Sequence, residues 1–291
     1  MKIQVVALPY NVEGKGKAGA SGPAALLDAG LVDRLRERGH EVPEPLTVSL
    51  SPEEEAQYGG WNRVGLAGGR LAELVARATE ERSFVLGLLA DCNGVLGVLG
   101  GLQSSSPGGR RVGLVYVDAH GDYNTPETSL SGMLGGMPVA VAAGKCLHRL
   151  RRQNHLEQPL RAQDIVMMGL RDLDLLEREA IVEDRVVTVT EQDLISCSPA
   201  MHRAIESLSL REDAVYVHVD LDILDPGVAP AAGLPSPGGL DGQQLGRAVK
   251  AMMEYPDVSA LSLVSYRADA DRRGRTLDQV MTAIMLAFEA K

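Results

Sequence analysis

The residues best suited to chemistry lie in two short acidic segments. Asp118-Ala119-His120-Gly121-Asp122 follows the apolar run 112–117, and Asp220-Leu221-Asp222 follows the apolar run 215–219, with Asp225-Pro226 just beyond. Side chains of an extended chain alternate between faces, so positions 118, 120 and 122 are expected to converge, and so are 220 and 222. Two carboxylates and an imidazole at one point suit a divalent cation of borderline hardness. With no cation or other positive partner, that much negative charge at a strand end would be costly. Four aspartates and a histidine exceed what one ion takes from a protein while keeping open positions. Two ions sharing a carboxylate are therefore expected, with a bridging hydroxide as nucleophile. An isolated Asp-x-Asp is usually a turn or a helix cap. The pairing of two such segments, each closing a buried strand, is what points to metal.

The elements that must position these residues alternate between strand and helix. The run 112–117 has no polar alternate, the mark of a strand covered on both faces, and the same signature recurs at 165–168, 186–189, 215–219 and 260–264, beside a short β-rich run at 3–8 and a continuous apolar run at 84–89. Between them lie helical patterns: one helix from Pro23 through Leu26, Leu27, Leu31 and Leu35 with Gly39 as its stop, then 64–81, 95–102, 242–253 and 277–290. Glu53-Glu54-Glu55 reads as a solvated helix start. No internal repeat or linker interrupts this order, so residues 1–291 are expected to form a single α/β domain with a mostly parallel sheet. In such sheets the strand carboxyl ends line the binding crevice.

Composition removes several classes. Of 291 residues, 29 are Lys or Arg and 39 Asp or Glu, a net charge of −10, which argues against nucleic-acid and anionic-membrane partners. The cluster Arg149, Arg151 and Arg152 is too short to reverse this. No stretch approaches the roughly 18 apolar residues of a membrane span, and the run at 3–8 is too short for a signal peptide. Cys92, Cys146 and Cys197 are odd in number and far apart, so no disulfide framework is implied. A cytoplasmic protein with a small-molecule substrate is expected.

The segment from Asp118 to Thr128 resembles the central motif of the ureohydrolases, the arginase and agmatinase superfamily. Val219 to Pro226, followed by Pro230, Gly233, Pro235, Gly238, Gly239 and Leu240, resembles their second metal motif, and the stretch ending Gly22-Pro23 and Gly169-Leu170-Arg171-Asp172 fit in compatible order. The resemblance implies a three-layer α/β/α fold with a sheet of about eight strands, two manganese ions, hydrolysis of a guanidino C–N bond, and a homo-oligomer, trimer or hexamer. It also implies metal ligation by Asp118, His120, Asp122, Asp220 and Asp222. Asn124 and Ser131 match positions at the substrate's carboxylate, and Asp174 matches a position at its α-amino group. Asp122 is the residue expected to accept a hydrogen bond from the hydroxide.

Four departures bear on activity. In Leu89-Ala90-Asp91-Cys92-Asn93, Cys92 takes the slot of a ligand histidine. A thiolate is softer and moves preference towards zinc, iron or nickel. In Ser131-Gly132-Met133-Leu134-Gly135-Gly136, Met133 replaces a carboxylate-recognising asparagine and Gly135 a proton-shuttling histidine. Ser265 stands where a glutamate pairs with the guanidinium, a loss that disfavours free arginine as substrate. A metal-binding regulatory or assembly protein without catalysis is the alternative these losses admit. His218, on the face of Asp220, reads as a core histidine or one lying behind the ligands. Tyr123 and Tyr266 read as packing residues, and His40, His148, His155 and His202 as exposed ones.

Overall fold

In the computed structural model, which describes residues 1–17 and 19–289, eight strands form one parallel sheet. They are β1 (Ile3–Leu8), β2 (Leu46–Thr47), β3 (Phe84–Leu89), β4 (Val112–Val117), β5 (Ile165–Met168), β6 (Val187–Val189), β7 (Ala214–Asp220) and β8 (Val258–Val264). Their spatial order is β2-β1-β3-β8-β7-β4-β5-β6. β4 and β7, which precede the two acidic segments, therefore lie side by side, paired from Val112 with Ala214 to Val117 with Val219. β8 pairs with β7 on one side and with β3 on the other, so four adjacent strands deliver their carboxyl ends to one crevice.

Alternation along the strands sends side chains into two apolar layers. Val5, Leu88, Val117, Val217 and Leu263 pack against the helices Leu31–Glu37, Pro199–Ser209, Gly242–Met252 and Arg275–Ala287. Val6, Leu89, Leu114, Tyr116 and Tyr216 pack against the helices Gly60–Glu80, Gly94–Ser104 and Pro138–Ala142. The result is the three-layer α/β/α arrangement expected from the sequence.

The helices Gly60–Glu80 and Gly94–Ser104 meet through glycine. A Cβ at Gly97 would lie 2.6 Å from the carbonyl oxygen of Gly68, and one at Gly100 only 1.8 Å from that of Asn154. Both acceptors are backbone and cannot turn away. Gly100→Ala is therefore expected to destabilise the protein by about 3 kcal/mol or more, since overpacking typically costs 1–3 kcal/mol where neighbours yield. Thermal denaturation of the variant reads this directly.

Three local expectations differ from the structure. The helix expected through Pro23 and Leu35 is two helices, Gly22–Asp28 and Leu31–Glu37. Gly30 between them takes φ 78°, a left-handed conformation that ends one helix and starts another. The short strand β2 was not legible, because two residues carry no periodicity. The last helix ends at Ala287, and residue 290 of its expected range lies outside the described residues. The acidic run does open a helix, Pro52–Glu55, whose Ser51 and Glu54 cap each other reciprocally. Of the histidines expected on the surface, His148 is exposed, whereas His40, His155 and His202 are half-buried.

Candidate metal centre

Strand alternation is not what gathers the ligands. β4 ends at Val117, and the chain beyond it leaves the sheet, with Asp122 at φ 48°. β7 ends at Asp220 and passes into a single 3-10 turn, Leu221–Ile223. These turns carry the side chains together more tightly than an extended chain could. The backbone N–H of His120 donates to Asp118 Oδ1 (2.6 Å), and that of Asp222 donates to Asp220 Oδ1 (3.0 Å). Across the strands, Ala119 N–H points at Asp222 Oδ1 (3.4 Å).

Two donor groups result, each with its ligand atoms within 4.8 Å of one another: Cys92, Asp118 and Asp220, and Asp118, His120 and Asp222. Asp118 is common to both, as a carboxylate shared by two ions must be. His120 Nδ1 sits 3.2 Å from Asp222 Oδ2 and 3.3 Å from Asp118 Oδ1. Cys92 enters from the end of β3, where Asp91 accepts from the N–H (3.0 Å) and Nδ2 (3.2 Å) of Asn93 and so shapes the turn. Its Sγ–H donates to Asp220 Oδ2 (2.9 Å). Ser265, at the end of β8 with φ 67°, donates its hydroxyl to the same oxygen (2.6 Å). A side chain of Ser type thus lies against the ligands at the place where the resemblance calls for glutamate.

Electrostatics fit a cation. Burial, reinforced by neighbouring carboxylates, pushes Asp118 and Asp220 well above the usual carboxylate range. Burial would depress His120, but hydrogen bonds and charge from Asp118 and Asp222 outweigh it and raise the imidazole to about 11. Cys92 is raised by burial and by the charges of Asp220, Asp122 and Asp118. Among the described residues, no lysine or arginine forms an ion pair with Asp118, Asp122, Asp220 or Asp222. Thiol, imidazole and carboxylate donors, gathered with no lysine or arginine among them, fit divalent metal.

Asp122 belongs to neither donor group. It is buried, and burial lifts it to about 7 against the lowering effect of a 2.5 Å hydrogen bond from the Tyr116 hydroxyl. Tyr116 had no place in the sequence reading. The signal available was its position two residues before Asp118, on the same strand face. Tyr116 stacks on His218, ring centroids 4.8 Å apart and planes 4° from parallel. His218 is fully buried, its Nδ1 meeting Tyr216 Oη (2.8 Å) and Ser262 Oγ (3.0 Å), and burial lowers it to about 3. It is the core histidine that the sequence suggested.

The expected substrate contacts are placed unevenly. Asn124 Nδ2 donates to Asp174 Oδ2 (3.1 Å), and Asn124 Oδ1 accepts from Thr128 Oγ1 (2.9 Å). Asn124 and Asp174 are therefore together, but the amide is buried and already partnered at both ends. Ser131 lies on an exposed turn, its Oγ accepting from the N–H of Met133 (3.2 Å). Glu177, unnoticed in the sequence, is buried and accepts from the N–H of Tyr123 (2.8 Å) and of Asp174 (3.3 Å), tying together the two segments that carry them. Tyr123 and Tyr266 pack as expected, their hydroxyls donating to Asp184 and Asp271.

Known proteins share this architecture over their whole length. The curated arginase of Bacillus caldovelox is 28% identical across 97% of this chain and 96% of its own, and that of Bacillus subtilis (strain 168) is 29% identical across 94% and 93%. A crystal structure of arginase from Bacillus subtilis superposes with a TM-score of 0.87 at 26% identity, covering 100% of this chain and 99% of that one. A family model described as the Arginase family matches residues 1–289, and the chain belongs to that family.

Proposed function

We propose that this chain is a binuclear, metal-dependent hydrolase that cleaves a C–N bond of a guanidino or amidino compound, amino-acid-like but not plain arginine. The observation that carries the reading is the pair of donor groups sharing Asp118 at the ends of adjacent strands. Cys92, Asp118 and Asp220 would hold one ion and Asp118, His120 and Asp222 the other, with Asp122 beside them. Manganese is the first candidate, and Cys92 admits zinc, iron or nickel. Two such ions supply a nucleophile from water at neutral pH and polarise the carbon under attack.

The chain's own residues do the rest. Asp122, oriented by Tyr116, accepts a hydrogen bond from the attacking water and can carry its proton to the leaving nitrogen. That role gains weight because position 135 is glycine. Gly135 supplies no side chain there, and its nearest neighbour is the exposed Met133, 3.9 Å from where a Cβ would lie. Asp174 offers a partly exposed carboxylate to a substrate ammonium group, and Ser131 a hydroxyl to a carboxylate. Ser265, bonded to Asp220, provides no carboxylate for a planar guanidinium. Identity below 30% with the named arginases leaves room for a change of substrate.

Metal-loaded protein should be offered arginine beside N-substituted guanidino and amidino acids, with release of urea or ammonia as the readout. The expected result is turnover of a modified compound, with arginine slower by about 10²-fold or more, the effect of leaving a paired charge without its partner. Robust arginine turnover would overturn the substrate assignment.

A further inference from the structure

The two donor groups each bring three residues and differ in the kind of donor. Asp118–His120–Asp222 offers one nitrogen and carboxylate oxygens, a set that manganese accepts. Cys92–Asp118–Asp220 offers a sulfur and two carboxylates. A further oxygen from Asp122 would bring this second place towards the higher coordination that hard ions favour. Asp122 lies outside both donor groups, its Oδ2 accepting from the Tyr116 hydroxyl at 2.5 Å.

That hold is built into the core. Tyr116 is fully buried, it lies parallel to His218, and His218 is pinned through Nδ1 by Tyr216 and Ser262, themselves 2.5 Å apart. The register explains the arrangement: Tyr116 and Ser262 are the partners of His218 on the two neighbouring strands. The polar row lies one pleat below the ligands, and the tyrosine reaches up from it. The Cys92 place is left with three protein donors, one of them sulfur. Three protein donors and an open position are what zinc keeps in catalytic sites.

We infer that the centre is built for two unlike ions, a thiophilic ion of the zinc type at Cys92–Asp118–Asp220 and a harder ion of the manganese type at Asp118–His120–Asp222. The inference rests on the two-ion reading above and goes beyond it by making the places inequivalent. Zinc outcompetes manganese at most N, O and S sites, so unlike occupancy requires limiting zinc.

The test uses intact, metal-stripped protein titrated with cobalt(II), whose bonds to thiolate absorb in the near ultraviolet. The charge-transfer band is expected to saturate at one equivalent while total cobalt reaches two. One equivalent of zinc should erase the band, whereas manganese at about a hundredfold excess should not. Cys92→Ser should lose the band and lower zinc affinity by about a hundredfold or more, at least what loss of an outer-shell partner costs. Tyr116→Phe should keep the band but weaken the visible ligand-field absorption as Asp122 joins. Two equivalents of cobalt with no thiolate band, or equal displacement by manganese and zinc, would overturn unlike occupancy and leave the two-ion hydrolase standing. No cobalt bound at all would overturn both. The wild-type spectrum decides even if a variant fails to fold.

Discussion

Asp118→Asn is expected to empty both donor groups at once and to lower kcat/KM by on the order of 10⁴-fold, the scale on which residues acting as a unit fail together. Asp118 is the one residue common to the two groups, so no other single substitution touches both. Asp222→Asn affects only the His120 group and should leave one ion bound. The stability effect has the opposite sign. Asp118 is almost fully buried beside Asp220 and Asp222, and without metal its charge is opposed by burial and by both neighbours. An amide of the same shape removes that cost. The variant should therefore melt higher than wild type in chelator, lose the stabilisation that added metal gives wild type, and be inactive. Such a gain in stability with loss of function marks a strained functional site. A variant that keeps activity, or that melts lower in chelator, would contradict the shared-ligand role.

The metal-free protein is expected to lose stability as pH rises from about 4 to 8, and metal should reverse the trend. Asp122 is raised from 3.8 to about 7, with Asp118 and Asp220 also raised. A carboxyl whose folded value is raised stays protonated while the unfolded chain ionises, so its contribution is full below the unfolded value and is lost towards the folded one. For Asp122 that loss is on the order of 4 kcal/mol, developing between pH 4 and 7. His120, raised to about 11, acts in the same direction above its unfolded value near 6.5. Surface carboxylates such as Asp184 and Asp213 are lowered and favour higher pH, but they are far less buried and screened by solvent. Divalent metal competes with these protons, and at about a thousandfold over its Kd it contributes about 4 kcal/mol. Melting curves from pH 5 to 8, with chelator and with metal, should diverge as pH rises. Parallel curves would contradict a metal-binding cluster.

The sequence carried the sheet and the ligand types because both depend on residue identity over short spans. β-branched apolar runs such as 112–117, and 215–219 with its single His218, read as strands covered on both faces, and aspartates at their ends reach the crevice at the strand carboxyl ends. What it did not carry is long-range or conformational. The break at Gly30 competes with a helical pattern that continues across it, and two-residue β2 has no pattern at all. The convergence of 118, 120 and 122 was expected from alternation, yet turns and the left-handed Asp122 produce the actual grouping and turn Asp122 towards Tyr116. That hydrogen bond spans six residues but depends on the stack with His218 from another strand. Likewise, the contact of Ser265 with Asp220 and Cys92 needs three strand ends brought together, which no local window can show.

The most direct measurement is the metal content of the intact protein by elemental analysis, purified without chelator and again after loading and dialysis. Two equivalents of divalent metal per chain are predicted. One equivalent or none would contradict the binuclear centre and favour a family member without catalysis, serving as a regulatory or assembly protein.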